Sequence, residues 1–243
     1  MNKRQFLAAL LLVLPLPLAA QALSMITMDE EPHHHLALKN DVVKVFEIDL
    51  ASHDVFLMHG HDHDDVLIVV GDATTVSTTP GQADILQISK NGEVRFSRSG
   101  RSHSVRNIGQ TPYRAVSIDL LRPQTGAHNL CGKQIPEMKP DCPVTAIADA
   151  NTPRADLPQF ETDQVFVTLT RIRPHQQASF GEADTDDLIV TIDEAVIAAA
   201  AGKGPDQALA PGGPVWVARG SAKRILKNNS DKELRIVTVA FKP

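Results

Sequence analysis

The stretch that decides the fold is Met58-His59-Gly60-His61-Asp62-His63-Asp64-Asp65-Val66-Leu67-Ile68-Val69-Val70-Gly71, residues 58–71 of a 243-residue chain. It joins a histidine- and aspartate-rich head to a five-residue apolar run closed by glycine. Side chains alternate across a β-strand, so His59 and His61 project from one face, and His63 joins them only if the strand continues. Upstream, Val42–Leu50 (VVKVFEIDL) is rich in β-branched residues. Downstream come the short runs Ile85–Ile88, Val94–Phe96 and Ala115–Leu121, separated by Thr79-Pro80-Gly81, Asn91-Gly92 and Ile108-Gly109. Strands of this length and spacing predict a sandwich or barrel, and long patterns of helical period are missing. A second polar cluster, Gly92, Arg98, Gly100, His103 and Asn107, follows the apolar run. Two imidazoles on one strand and a third from a distant strand suit a divalent first-row metal (Fe, Mn, Cu, Ni or Zn), one ion per chain, with a carboxylate as a fourth ligand.

These residues resemble the two motifs of the cupin family. The first reads here His59-x-His61, three residues, Asp65, five residues, Gly71. The second reads Gly92, five residues, Arg98-x-Gly100, two residues, His103, three residues, Asn107. The second motif is complete except for Arg98 in the place of proline. In the first, Asp65 stands for glutamate, and His53 stands where the family usually has glycine. The resemblance implies an all-β fold, a jelly-roll barrel over 23–125 with a metal near one mouth. His59, His61 and His103 are its ligands by position. Asp65, one methylene shorter than glutamate, either binds the metal, holds a water or supports a ligand, and His63, Asp64 and Asn107 form the surrounding shell. Alternation assigns Phe56, Met58, Leu67, Val69, Phe96 and Val105 to an apolar pocket suited to a small-molecule ligand. Arg98 and Arg101 read as solvated loop arginines, with steering of an anionic substrate as the other reading. His128 and His175 read as surface residues.

The plan recurs. Gln164–Ile172 (QVFVTLTRI) answers Val42–Leu50, and Asp186–Val190 answers Asp64–Ile68 at an offset of 122. Gly213 and Arg219 answer Gly92 and Arg98 at an offset of 121, as Asn228 answers Asn107. Two offsets differing by one are what a duplication with a small loop change leaves. At these offsets Gly181, Ala183, Thr185 and Asp187 replace His59, His61, His63 and Asp65, and Arg224 replaces His103. Glycine and alanine carry no donor and arginine stays protonated, so the second barrel, 161–243, is expected to be metal-free and structural. The expected architecture is therefore two jelly-roll barrels in tandem, one complete and one degenerate.

Residues 1–22 read as a signal peptide: Lys3 and Arg4, an apolar stretch from Phe6 to Ala19, and the small-x-small site Ala20-Gln21-Ala22. Its loss takes the net charge from −5 to −7, which argues against a nucleic-acid partner. A periplasmic or secreted protein with no membrane role after cleavage is expected, and a homodimer is allowed. The cysteines Cys131 and Cys142 are the two in the chain. They lie in a Pro/Gly-rich connector, 126–160, and in an oxidising compartment are most simply a disulfide. His33, His34 and His35, close to the mature N-terminus, read as a disordered metal-scavenging tail. The functions in view are a metal-dependent enzyme of dioxygenase or oxidase type, a non-catalytic metal or ligand binder, and a structural dimerisation module.

Overall fold

Alternation of apolar residues on Val43–Leu50 buries both faces of that strand: Val43 and Val45 on one side, Phe46, Ile48 and Leu50 on the other. Such a strand needs two layers to cover it, and the structure supplies them. The computed structural model describes residues 25–136, 138–142, 152–181, 184–199 and 205–243; the expected signal peptide, 1–22, and Ala183 lie outside the described residues. Among those described there is no α-helix, only a 3-10 turn at Met28–Glu30.

The first half contributes ten strands: β1 (Ile26–Thr27), β2 (His34–Lys39), β3 (Val43–Leu50), β4 (His59–His61), β5 (Asp64–Val69), β6 (Ala73–Thr78), β7 (Ile85–Ser89), β8 (Val94–Ser97), β9 (Arg101–Asn107) and β10 (Tyr113–Leu120). They form two facing sheets ordered β1-β4-β9-β6-β7 and β2-β3-β10-β5-β8. The second half contributes β11 (His128–Asn129), β12 (Arg154–Glu161), β13 (Val165–Ile172), β14 (Gln177–Phe180), β15 (Asp186–Thr191), β16 (Ala195–Ile197), β17 (Gln207–Leu209), β18 (Pro214–Val217), β19 (Arg224–Lys227) and β20 (Leu234–Phe241). Its sheets run β11-β12-β13-β20-β15-β18 and β14-β19-β16-β17. The structure is a tandem pair of jelly-roll barrels, as the sequence predicts.

The barrels meet face to face. Val66, Ile68, Val94, Phe96, Val116 and Ile118 of the first barrel form one cluster with Phe160, Val167, Leu188, Val190, Val237 and Val239 of the second. Full burial of each such side chain contributes about 1.5–3 kcal/mol. The same sheet of the first barrel therefore serves two purposes: its outer face glues the halves together and its inner face lines a cavity. The boundary expected at residue 160 falls inside a strand. β12 pairs with β13 from Arg154 onward, and β11 pairs with β12, so part of the expected connector belongs to the second barrel's sheet. The Cys131–Cys142 disulfide is present and closes the loop beside β11.

The duplication is visible in atomic detail. Asn107 Nδ2 donates to the carbonyls of Leu50, Ala51 and Thr111, and its Oδ1 accepts from Gly109 N. Asn228 Nδ2 donates to the carbonyls of Ile172, Arg173 and Lys232, and its Oδ1 accepts from Ser230 N. Among the described residues, His53 and His175, 122 positions apart, are the two non-glycine residues with positive φ, 67° and 59°; His53 thus adopts the backbone that explains glycine at this motif position. Three correspondences differ from the sequence expectation. Gly92 N donates to Val69 O, and Gly212 N, not Gly213 N, makes the matching bond to Thr191 O. The match to Arg98 therefore moves from Arg219 to Ala218. Phe180 pairs with Arg224 where His59 pairs with His103, so Phe180, not Gly181, takes the place of His59.

Candidate metal centre and cavity

His59 and His61 sit on β4 and His103 on β9, directly across from His59 in an antiparallel register. Alternation turns all three rings inward, with centroids 4.9–5.2 Å apart. One ring nitrogen from each lies within 4.8 Å of the others. His59 Nδ1 bonds Leu57 O at 2.9 Å, which places the proton on Nδ1 and leaves Nε2 as a bare lone pair. That Nε2 is buried with no protein partner. Burial pushes His59 down to about 4 and His103 down to about 3, and lowers His61 further still, with the Arg101 charge adding to it. Three neutral imidazoles with converging nitrogens and one orphaned acceptor fit a divalent first-row metal.

Arg101 is the residue whose role the sequence reading missed. It lies on β9 two positions before His103, hence on the same face, and that spacing was the available signal. Arg101 Nη2 donates to Asp65 Oδ1 and contacts His61 Nδ1 at 3.0 Å. A guanidinium only donates, so here His61 Nδ1 accepts and the proton sits on Nε2, which reaches His103 Nε2 at 3.1 Å. His103 Nδ1 in turn meets Ser77 Oγ at 3.2 Å. Ligation through His61 Nε2 requires the other tautomer, and Asp65 Oδ1, 3.9 Å from His61 Nδ1, is the acceptor within reach. Asp65 is therefore not in the ligand cluster: it is spent on Arg101. Burial raises its carboxyl to about 6 despite that partner.

The expected shell is rearranged. Asp64 accepts from Arg98 Nη1 at 2.9 Å and Ser99 N at 2.8 Å, because its neighbour Asp65 points inward and alternation sends Asp64 to the other face. His63 is partly exposed and stands 4.0 Å from Asp119. Asn107 staples the barrel's turns, as described, and touches no ligand. The expected tail is ordered: His34 is buried on β2, its ring 4.9 Å from that of His59, with Nδ1 2.7 Å from Glu31 Oε2. Burial would raise the Glu31 carboxyl, but hydrogen bonds from His34 and His33 hold it at about 2.

A cavity of about 260 Å³ opens beside the three rings. Phe56, Leu67 and Val105 line it as expected; Met58, Val69 and Phe96 do not. Leu67 lies opposite Arg95, and Phe96 opposite Val66, so an inward Leu67 forces Phe96 outward, where its ring packs 5.3 Å from Phe160. Val69 belongs to the apolar base with Leu50 and Ala73. Met58 falls on the outward parity of β4. His34, Tyr113 and Ser117 line the cavity too, all unforeseen.

No protein-family model matches the sequence, and neither does any curated protein. Solved structures do match. AerE from Microcystis aeruginosa superposes with a TM-score of 0.55 at 9% identity, over 88% of this chain and 99% of that one. Salicylate 1,2-dioxygenase from Pseudoaminobacter salicylatoxidans, with gentisate bound, gives 0.55 at 10% identity, over 82% of this chain and 68% of that one. At such identities the likeness is one of fold. The fold is that of a bicupin, two cupin barrels in one chain.

Proposed function

We propose that this chain is a periplasmic or secreted metal-dependent enzyme of dioxygenase or oxidase type, acting on a small organic molecule in the cavity of the first barrel. The observation that carries the reading is the convergence of His59, His61 and His103 with the buried, unpartnered His59 Nε2. A divalent metal bound there would supply a Lewis acid, and a redox-active one a centre for oxygen chemistry. The chain's own residues do the rest: Leu57 O orients His59, Ser77 meets His103, and Phe56, Leu67 and Val105 exclude water from one wall. The salicylate dioxygenase of the same fold is described with gentisate, a small aromatic acid, which supports small organic substrates. The disulfide supports export.

Metal analysis of protein recovered from its native compartment tests the reading. About one ion per chain is expected, lost in His59→Ala and His61→Ala. Metal content equal to wild type in both variants overturns the site. Oxygen uptake against phenolic and dicarboxylic compounds then separates an enzyme from a binder. The bond from Arg101 to His61 Nδ1 favours one alternative, a ligand-binding barrel that works without metal, and purification free of metal with ligand affinity intact would select it.

A further inference from the structure

Three residues that line this one cavity each carry a buried polar atom with no protein partner: His59 Nε2, Arg101 Nη1 and Ser117 Oγ. The first is an acceptor. The other two are donors, one of them on a charged group. Arg95, which also lines the cavity, has each of its three nitrogens bonded, to Glu93, Gln87 and Ser89. Arg101 spends Nη2 on Asp65 and His61 and leaves Nη1 unused. Ser117 stands on the inner face of β10, across from Leu67, and is only 1% exposed. Buried donors without acceptors are costly, and a bound ligand that accepts from them removes that cost.

We propose that the cavity binds a small carboxylate whose oxygens are received by Arg101 Nη1 and Ser117 Oγ, with its organic body against Phe56, Leu67 and Val105. The proposal names the substrate class for the function proposed above and rests on that reading of the cavity. The charge balance points the same way. Asp65 is neutralised by Arg101, so a divalent ion on three neutral imidazoles carries its charge uncompensated, and an anion is the ligand that balances it. A guanidinium donates charge-assisted hydrogen bonds to a carboxylate that a neutral amide cannot match. The apolar wall argues for an organic acid over a fully hydrated inorganic anion.

Calorimetric titration of the full chain, zinc-loaded and metal-free, with acetate, malonate and benzoate, with acetamide, malonamide and benzamide, and with inorganic phosphate tests this. At least one acid is expected to bind about tenfold or more tighter than its amide and than phosphate. Arg101→Lys, assayed at saturating zinc, is expected to weaken that acid about tenfold, and Ser117→Ala several-fold. Ser117→Ala removes a hydroxyl that bonds nothing in the protein, so its melting temperature and zinc stoichiometry should match wild type. A structural serine would not behave so. Equal binding of acid and amide, preference for phosphate, or wild-type affinity in both variants overturns the proposal. Zinc stoichiometry separates the two readings: retained zinc with no acid preference sinks the carboxylate site alone. Absent zinc with acid preference intact sinks the metal centre alone.

Discussion

The two barrels share a backbone plan and differ in what fills them. At paired positions the first barrel places His59 and the second Phe180. Around Phe180 the interior is closed by Ala178, Ile189, Val217, Leu226 and Ile236. Around His59 the matching space holds imidazoles, a guanidinium, two aspartates and a cavity. The asparagine staples, by contrast, are the same in both halves. The shell that shapes a jelly roll is thus separable from its interior, and one interior has been given to packing and the other to chemistry. Each barrel also relies on the other, since their facing sheets share one apolar cluster.

The comparison can be broken most forcefully at the paired positions. Phe180→Ala should cost about 4 kcal/mol of unfolding free energy, because it opens a cavity in a filled core. His59→Ala should cost less, about 1–2 kcal/mol in metal-free protein, since the ring has one hydrogen bond to lose and its packing against the neighbouring rings borders an existing cavity. Guanidinium unfolding of both variants reads the contrast, and equal losses would mean that the first barrel's interior is as structural as the second's. Next in size are the staples. Asn107→Ala and Asn228→Ala each remove the donor to three carbonyls, of which that of Leu50 or Ile172 is buried, so each should lose about 2 kcal/mol. Similar losses, with metal content unchanged for Asn107→Ala, sharpen the equivalence; loss of metal in that variant would return Asn107 to the metal site.

The motif spacing made the three histidines legible, because a period of two and a fixed separation are local facts. The duplication was legible too, through Asn228 and the Asp186–Val190 run. What sequence left open was register. Whether Phe96 or Arg95 faces inward depends on which residue of β5 lies opposite, and only the pairing of Leu67 with Arg95 settles it. The offset of 121 pointed to Gly213, and only the bond from Gly212 N to Thr191 O, matching that from Gly92 N to Val69 O, moves the match by one residue. His34 escaped because its place is set by Glu31 and by pairing with Ile48, contacts that the short run HHLALK does not announce. Asp65 kept its position in the motif, and of the roles open to it direct ligation is the one that its bond from Arg101 disfavours.

The smallest expected effect bears on what a polar interior costs. Asp119 lies across from Asp65 on the inner face of the first barrel, with Oδ1 buried and unpartnered. Burial, then the Asp65 charge, raises its carboxyl to about 7, with Lys44 and Arg101 opposing. A carboxyl raised in the folded state is no burden at low pH, where both states are protonated, and stability is lost as pH climbs through 7. Asp119→Asn removes that loss. It should stabilise by about 2 kcal/mol at pH 8 and by almost nothing at pH 4. The histidines slope the other way: held neutral in the fold, they draw stability down as pH falls below about 6.5, when the unfolded chain takes up protons. Both proteins carry them, so the difference between variant and wild type isolates Asp119. A gain independent of pH would show that the residue does not titrate in this range. A loss at both pH values would make Asp119 a packing element, and the first barrel would then be less unlike the second than its cavity suggests.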